Sequence, residues 1–152
     1  MLPINNSDIL KHLVSKGIQA QIQKETNQIC IMLKIGEREF PLFIRIFDGG
    51  ELLQLLAFLP CNFNTDALGE VARLLHALNK KIDLPGFCMD EDSQTIFYRC
   101  MLPVRNKKID SAIFDALLNA VQVVCTSFAP VIATVAYGTV TFKDVIKQSK
   151  LG

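Results

Sequence analysis

Ile9, Leu10, Leu13 and Val14 recur at helical spacing behind the polar run Asn6-Ser7-Asp8, and Gly17 follows where a helix C-terminal cap belongs. This pattern predicts a short amphipathic opening helix. From residue 18 the period changes. Ile18, Ala20 and Ile22 alternate with Gln19, Gln21 and Gln23, as in a strand with one wet face. Residues 28–35 place Ile29, Ile31, Leu33 and Ile35 on one side, and Gly36-Glu37-Arg38 turns the chain into a third strand from Phe40 to Phe47. Asp48-Gly49-Gly50 is a tight-turn signal, after which Leu52 to Leu59 read as a fourth strand ended by Pro60. Consecutive hairpins of this kind make an antiparallel meander.

Asn64-Thr65-Asp66 opens a second helix, with Leu68, Val71, Leu75, Leu78 and Ile82 on one stripe and Glu70, Arg73 and Lys80 off it. Pro85-Gly86 ends this element. Phe87 to Glu91 and Thr95 to Leu102 then form a hairpin around Asp92-Ser93-Gln94, whose side chains bond locally to the backbone. A three-residue loop sets Cys88 against Tyr98, and a two-residue loop sets it against Phe97. In neither register do Cys88 and Cys100 face each other, so no disulfide is expected between them. Asp110 caps a long helix carrying Ile113, Leu117, Ala120, Val121, Val124 and Phe128, which Pro130 kinks or ends. Thr141-x-x-Asp144 has the form of a capping box for a last helix with Phe142, Val145 and Ile146. The fold class is α+β, an antiparallel sheet packed against helices in the order α-β-β-β-β-α-β-β-α-α. It reads as a single domain, with a core over residues 1–131 and a helical extension over 132–152.

Both faces of the third and fourth strands are rich in apolar side chains, and so are both faces of the later hairpin. Tyr98, Cys100 and Leu102 lie on one side of it, and Phe97 and Met101 on the other. One face can meet the domain's own helices. The other needs a second neighbour: a second subunit, a bound segment, or the long helix and tail folded over it. Phe43, Phe47, Leu56, Phe58, Phe97 and Met101 are therefore the candidate partner-binding or dimer-interface residues, with burial in the core as the plainer alternative for each.

Composition narrows the chemistry. Sixteen basic and fifteen acidic residues leave a formal charge of +1, which disfavours nucleic acid as a partner despite the cluster Arg105-Asn106-Lys107-Lys108. No basic stretch followed by an apolar run marks a signal peptide. The longest apolar segment, residues 120–137, is interrupted by Gln122, Ser127 and Pro130, so no membrane span and a cytoplasmic location are expected. Five cysteines at wide spacing, without a CxxC pair, suit buried thiols in a reducing compartment. Asp90-Glu91-Asp92 lacks the alternation and the glycine of a calcium loop, and His12 and His76 have no ligand-spaced neighbours, so no metal or cofactor is expected. No catalytic signature is present. The competing enzymatic reading is a small thiol-dependent enzyme using Cys61 or Cys88, the former paired with His76 by the fold.

The run Leu78-Asn79-Lys80-Lys81-Ile82, followed by Pro85-Gly86-Phe87-Cys88-Met89-Asp90, the strand Thr95 to Leu102 and the helix Asp110 to Phe128, resembles the C-terminal half of the YbjN-like family. The order of elements over Ser7 to Val131 is also similar to type III secretion chaperones. Four strands stand before the middle helix where the shared pattern often has three. The resemblance implies a non-enzymatic protein, often a homodimer, that holds an extended segment of a protein partner or secreted client, or acts as a regulator. It brings no catalytic residues.

Overall fold

The computed structural model describes residues 1–149. The chain opens with a two-residue strand, β1 (Leu2–Pro3), and the Asn5 side chain then accepts from the Asp8 amide at 2.8 Å to cap helix α1 (Asn6–Ser15). Four strands follow as hairpins: β2 (Ala20–Gln23), β3 (Gln28–Ile35), β4 (Arg38–Phe47) and β5 (Leu52–Phe58). A single 3₁₀ turn at Thr65–Ala67, capped by Asn64, leads into α2 (Leu68–Lys81). The later hairpin is β6 (Phe87–Asp90) and β7 (Thr95–Pro103). It is followed by β8 (Lys108–Ile109), which pairs with β1, and by helices α3 (Ser111–Ala136) and α4 (Phe142–Ser149).

The six longer strands form one antiparallel sheet in the order β2-β3-β4-β5-β7-β6. The meander and the later hairpin are joined by β5 and β7, which run alongside each other from Leu52↔Pro103 to Phe58↔Phe97. The hairpin takes the register with Cys88 opposite Phe97, the second of the two alternatives. Cys88 and Cys100 are free thiols.

One face of the sheet carries the core. Ile29, Ile31, Leu42, Ile44, Leu53, Leu55, Ile96 and Tyr98 are buried there beneath Ile9 and Leu13 of α1, Leu74 and Leu78 of α2, and Phe114, Val121, Cys125 and Ile132 of α3. All the long helices lie on this side because each presents its apolar stripe to it.

One expectation for α3 needs correction. Its buried stripe is Phe114, Leu118, Val121, Cys125, Ala129 and Ile132, while Ile113, expected to face the core, is 57% exposed. Outside the polar strip Asp115-Asn119-Gln122-Thr126, apolar residues occupy most of this helix surface, a band too wide for spacing alone to choose the stripe. Of the two outcomes expected at Pro130, a kink or an end, the helix does not end: it runs on to Ala136, and Ile132, Val135 and Ala136 extend the core. By length and composition α3 could cross a membrane, and here it packs on the sheet and on α2. The capping box at the start of α4 forms as expected. The Thr141 amide donates to Asp144 Oδ2 at 2.9 Å and the Asp144 amide to Thr141 Oγ1 at 3.2 Å, holding the Asp144 carboxyl below its ordinary pKa.

Candidate functional site: the uncovered face of the sheet

Strict alternation along the strands sends every second side chain to the face opposite the helices. Phe43, Phe47, Leu56, Phe58, Phe97 and Met101 all fall on that outer face, and none of the six is buried in the core. Register then sets their neighbours. Phe58 stands directly opposite Phe97, and Phe43 opposite Leu56, which in turn faces Arg99. The rings of Phe43 and Phe58 meet edge-on with centroids 5.9 Å apart, and Phe58 and Phe97 are tilted at 6.0 Å. These contacts make an aromatic row across three strands.

The row continues sideways in both directions. Met32, 48% exposed, and Pro41 stand opposite each other on β3 and β4, and Cys88 stands opposite Phe97 on the far strand. Cys30 faces Phe43 from β3, beside a shallow depression of about 200 Å³ lined by Gln21, Cys30 and Met32. Met32 and Cys30 fall outside the candidate set because only the Ile29-Ile31-Leu33-Ile35 side of β3 was followed. The opposite parity of the same strand would have found them.

Two cations stand within this greasy surface. Arg45 lies over the ring of Phe47 at 4.4 Å, and Arg99 lies near that of Phe97 at 6.0 Å. Neither makes an ion pair among the described residues. The outward carboxylates are engaged elsewhere: Glu39 is 3.8 Å from Lys34 at the end of a hairpin. Asp90 takes hydrogen bonds from Ser93 Oγ and the Asp92 amide within its own turn, and the Ser93 bond is the main reason its pKa is lowered. The acid run between Cys88 and Cys100 is thus turn chemistry.

The hairpin is anchored from the helix side. Asn79, near the end of α2, receives the amides of Gly86 and Phe87 on Oδ1 at 3.2 and 3.0 Å, and its Nδ2 donates to the Phe87 carbonyl at 2.9 Å. The Tyr98 hydroxyl donates to the Leu84 carbonyl at 2.5 Å. This helix end, Pro-Gly approach and two-stranded exit are the segment on which the resemblance rested. A family model named YbjN, described as "Putative bacterial sensory transduction regulator", matches residues 6–134. The chain belongs to the YbjN family. A search of curated proteins found no match.

Of the two thiols of the competing reading in this YbjN-family chain, Cys88 stands on the outer face and Cys61 is half-buried beyond β5. Burial pushes the Cys61 thiol up, and the nearby Arg38 guanidinium opposes this without reversing it. Arg38 itself donates to the Pro60 carbonyl and the Tyr137 hydroxyl, each at 3.1 Å. His76 is exposed on α2, and no hydrogen bond joins it to Cys61 among the described residues. His12 has a partner: its Nε2 lies 2.6 Å from Asp115 Oδ1, with Lys16 Nζ 3.7 Å from Oδ2. No sequence spacing connects positions 12 and 115. The basic cluster at 105–108 forms a tight connection, in which Asn106 and Lys107 adopt positive φ and the Lys107 carbonyl accepts from the Ile4 amide.

Proposed function

We propose that this chain works without catalysis, as a regulator that shields an apolar segment of a protein partner against the outer face of its sheet. The observation that carries this reading is the aromatic row Phe43–Phe58–Phe97, half-buried and, among the described residues, with no helix over it. A sheet normally hides such a face against another layer, and an uncovered apolar patch marks a place of association. The family's description as regulators supports the same reading. No cofactor is called for, and partner and protein meet in the cytoplasm. A secretion chaperone would use the face in the same physical way, holding a client segment before export.

The energetics suit a reversible contact. Burying a few hundred Å² of apolar surface returns several kcal/mol at roughly 25 cal/mol per Å², while association costs about 4–15 kcal/mol. Apolar burial alone gives a weak hold, and polar contacts must add to it.

The test is a photocrosslinker carried in living cells, p-benzoylphenylalanine in place of Phe97, with the same group in place of Ile113 on the opposite side of the molecule. One dominant protein adduct at 97, absent at 113 and lost on Phe58→Asp, is the expected result. No adduct at 97, or the same adducts at both positions, contradicts the reading.

A further inference from the structure

We infer that the segment accepted by the outer face is an acidic amphipathic helix; this rests on the docking reading above and specifies its partner. The apolar band runs across the strands, from Met32 and Pro41 through Phe58 and Phe97 to Cys88. Five strands at about 4.8 Å spacing make a band roughly 19 Å long, the length of about 13 helical residues at about 1.5 Å each. Both unpaired cations lie to one side of this band, in rows they share with Phe43 and Leu56 and with Met101. Arg99 is opposite Leu56, one step along from the Phe58–Phe97 pair, and Arg45 is opposite Gln54, which faces Met101 a further step along. The other flank holds Lys34 with Glu39, and Asp90 bound within its turn. An apolar stripe with charge along one flank is what a helix presents along its axis, whereas a strand sends its side chains to two opposite faces.

Arg45 and Arg99 stand two strands apart, about 10 Å across the sheet. Carboxylates seven residues apart on a helix are separated by about 10.5 Å along its axis, so two acids on the flank of one helix reach both guanidinium groups. A second copy of this chain is a poorer occupant. Face to face, it would set unpaired arginines against a surface whose own free charges are also arginines. An anionic membrane is poorer too, because stable electrostatic attachment draws on clusters of about 4–8 cations, and this face offers two.

The probe is a fluorescein-labelled, helix-forming 16-residue peptide with a Leu/Phe stripe and two Glu residues seven apart on one flank. Matched peptides carry Gln or Lys at those two positions, and binding to the full chain is read by anisotropy. The Glu peptide is expected to bind at least tenfold more tightly than the Gln peptide. Arg45→Glu with Arg99→Glu should lose at least tenfold for the Glu peptide and regain affinity for the Lys peptide. Both arginine side chains are exposed, and circular dichroism checks that the variant folds. Equal binding of the Glu and Gln peptides, abolished by Phe97→Asp, overturns the acidic assignment and leaves the docking face standing. Failure of all three peptides overturns both. Sedimentation as a dimer that Phe97→Asp dissociates, or flotation with phosphatidylglycerol vesicles in the absence of peptide binding, also overturns the inference.

Discussion

Asn79 and Phe87 are joined by a pair of reciprocal hydrogen bonds: the Phe87 amide donates to Asn79 Oδ1 at 3.0 Å, and Asn79 Nδ2 donates to the Phe87 carbonyl at 2.9 Å. The side chain behaves as a missing strand residue, satisfying the backbone where β6 begins. Through it the end of α2 sets the position of the hairpin that supplies Phe97, Met101 and Arg99 to the outer face.

Removing that amide leaves partly buried backbone groups without partners, each costing about 1–3 kcal/mol. Asn79→Ala is expected to lower the unfolding free energy by about 2–3 kcal/mol. Asn79→Asp, which keeps the acceptor and loses the donor, should cost less. Urea denaturation at neutral pH, with unchanged slope, checks both.

Gly86 approaches the neighbouring strand so closely that an added Cβ would lie 2.3 Å from the Arg99 carbonyl oxygen, and backbone cannot swing away as a side chain can. Gly86→Ala is expected to destabilise by at least about 1–3 kcal/mol through overpacking. Gly69, in α2 with nothing within 4 Å of the same position, should behave oppositely. Gly69→Ala is expected to raise stability by about 0.5–1 kcal/mol. The two thermal midpoints should move in opposite directions.

The order of elements and the composition of the outer face could be read from the chain because both depend on local rules. Alternation along Phe43, Phe47, Leu56, Phe58, Phe97 and Met101 is a parity, and a parity survives whatever the tertiary packing. The contact face of α3 is set by the sheet and α2, because its apolar band covers most of the helix outside Asp115, Asn119, Gln122 and Thr126 and is too wide to mark one stripe. The β1–β8 ribbon pairs Leu2 with Ile109 and Pro3 with Lys108, two-residue strands far apart in the chain and too short for any pattern to register. Arg45 and Arg99 were visible as residues, but their lack of a carboxylate emerges only once the strands are in register.

His12 and Asp115 are similarly invisible to spacing, being brought together by side-chain contacts between α1 and the start of α3. The ring also meets Phe114 edge-on at 5.8 Å, so its position is held by packing as well as by the 2.6 Å contact. A double-mutant cycle of His12→Ala and Asp115→Ala should give a coupling of about 1 kcal/mol, above the low end for exposed pairs because the histidine is largely covered. A coupling indistinguishable from zero would show the contact to be incidental.

Buried thiol and phenol groups make stability fall at high pH. Burial pushes Cys125 from an ordinary 9.0 up to about 12, and Tyr98 from 10.0 up to about 12. Both groups ionise more readily in the unfolded chain than in the folded one. Stability is therefore intact below about pH 9, and it declines as pH rises from there toward 12, by up to about 1.4 kcal/mol per pH unit for each group. Urea midpoints between pH 8 and 11 should drop, and Cys125→Ala should flatten the slope from pH 9 even though its cavity lowers stability throughout.

The methionine methyl groups report on the central claim most directly. Met32 and Met101 sit on the outer face at 48% and 41% exposure, while Met89 packs against the core on the helix side. With methyl-labelled protein and the partner captured through position 97, nuclear magnetic resonance should show the Met32 and Met101 signals shifting or broadening as partner is added, with Met89 unmoved. Perturbation of Met89 with Met32 and Met101 unchanged would place association on another surface and contradict the account.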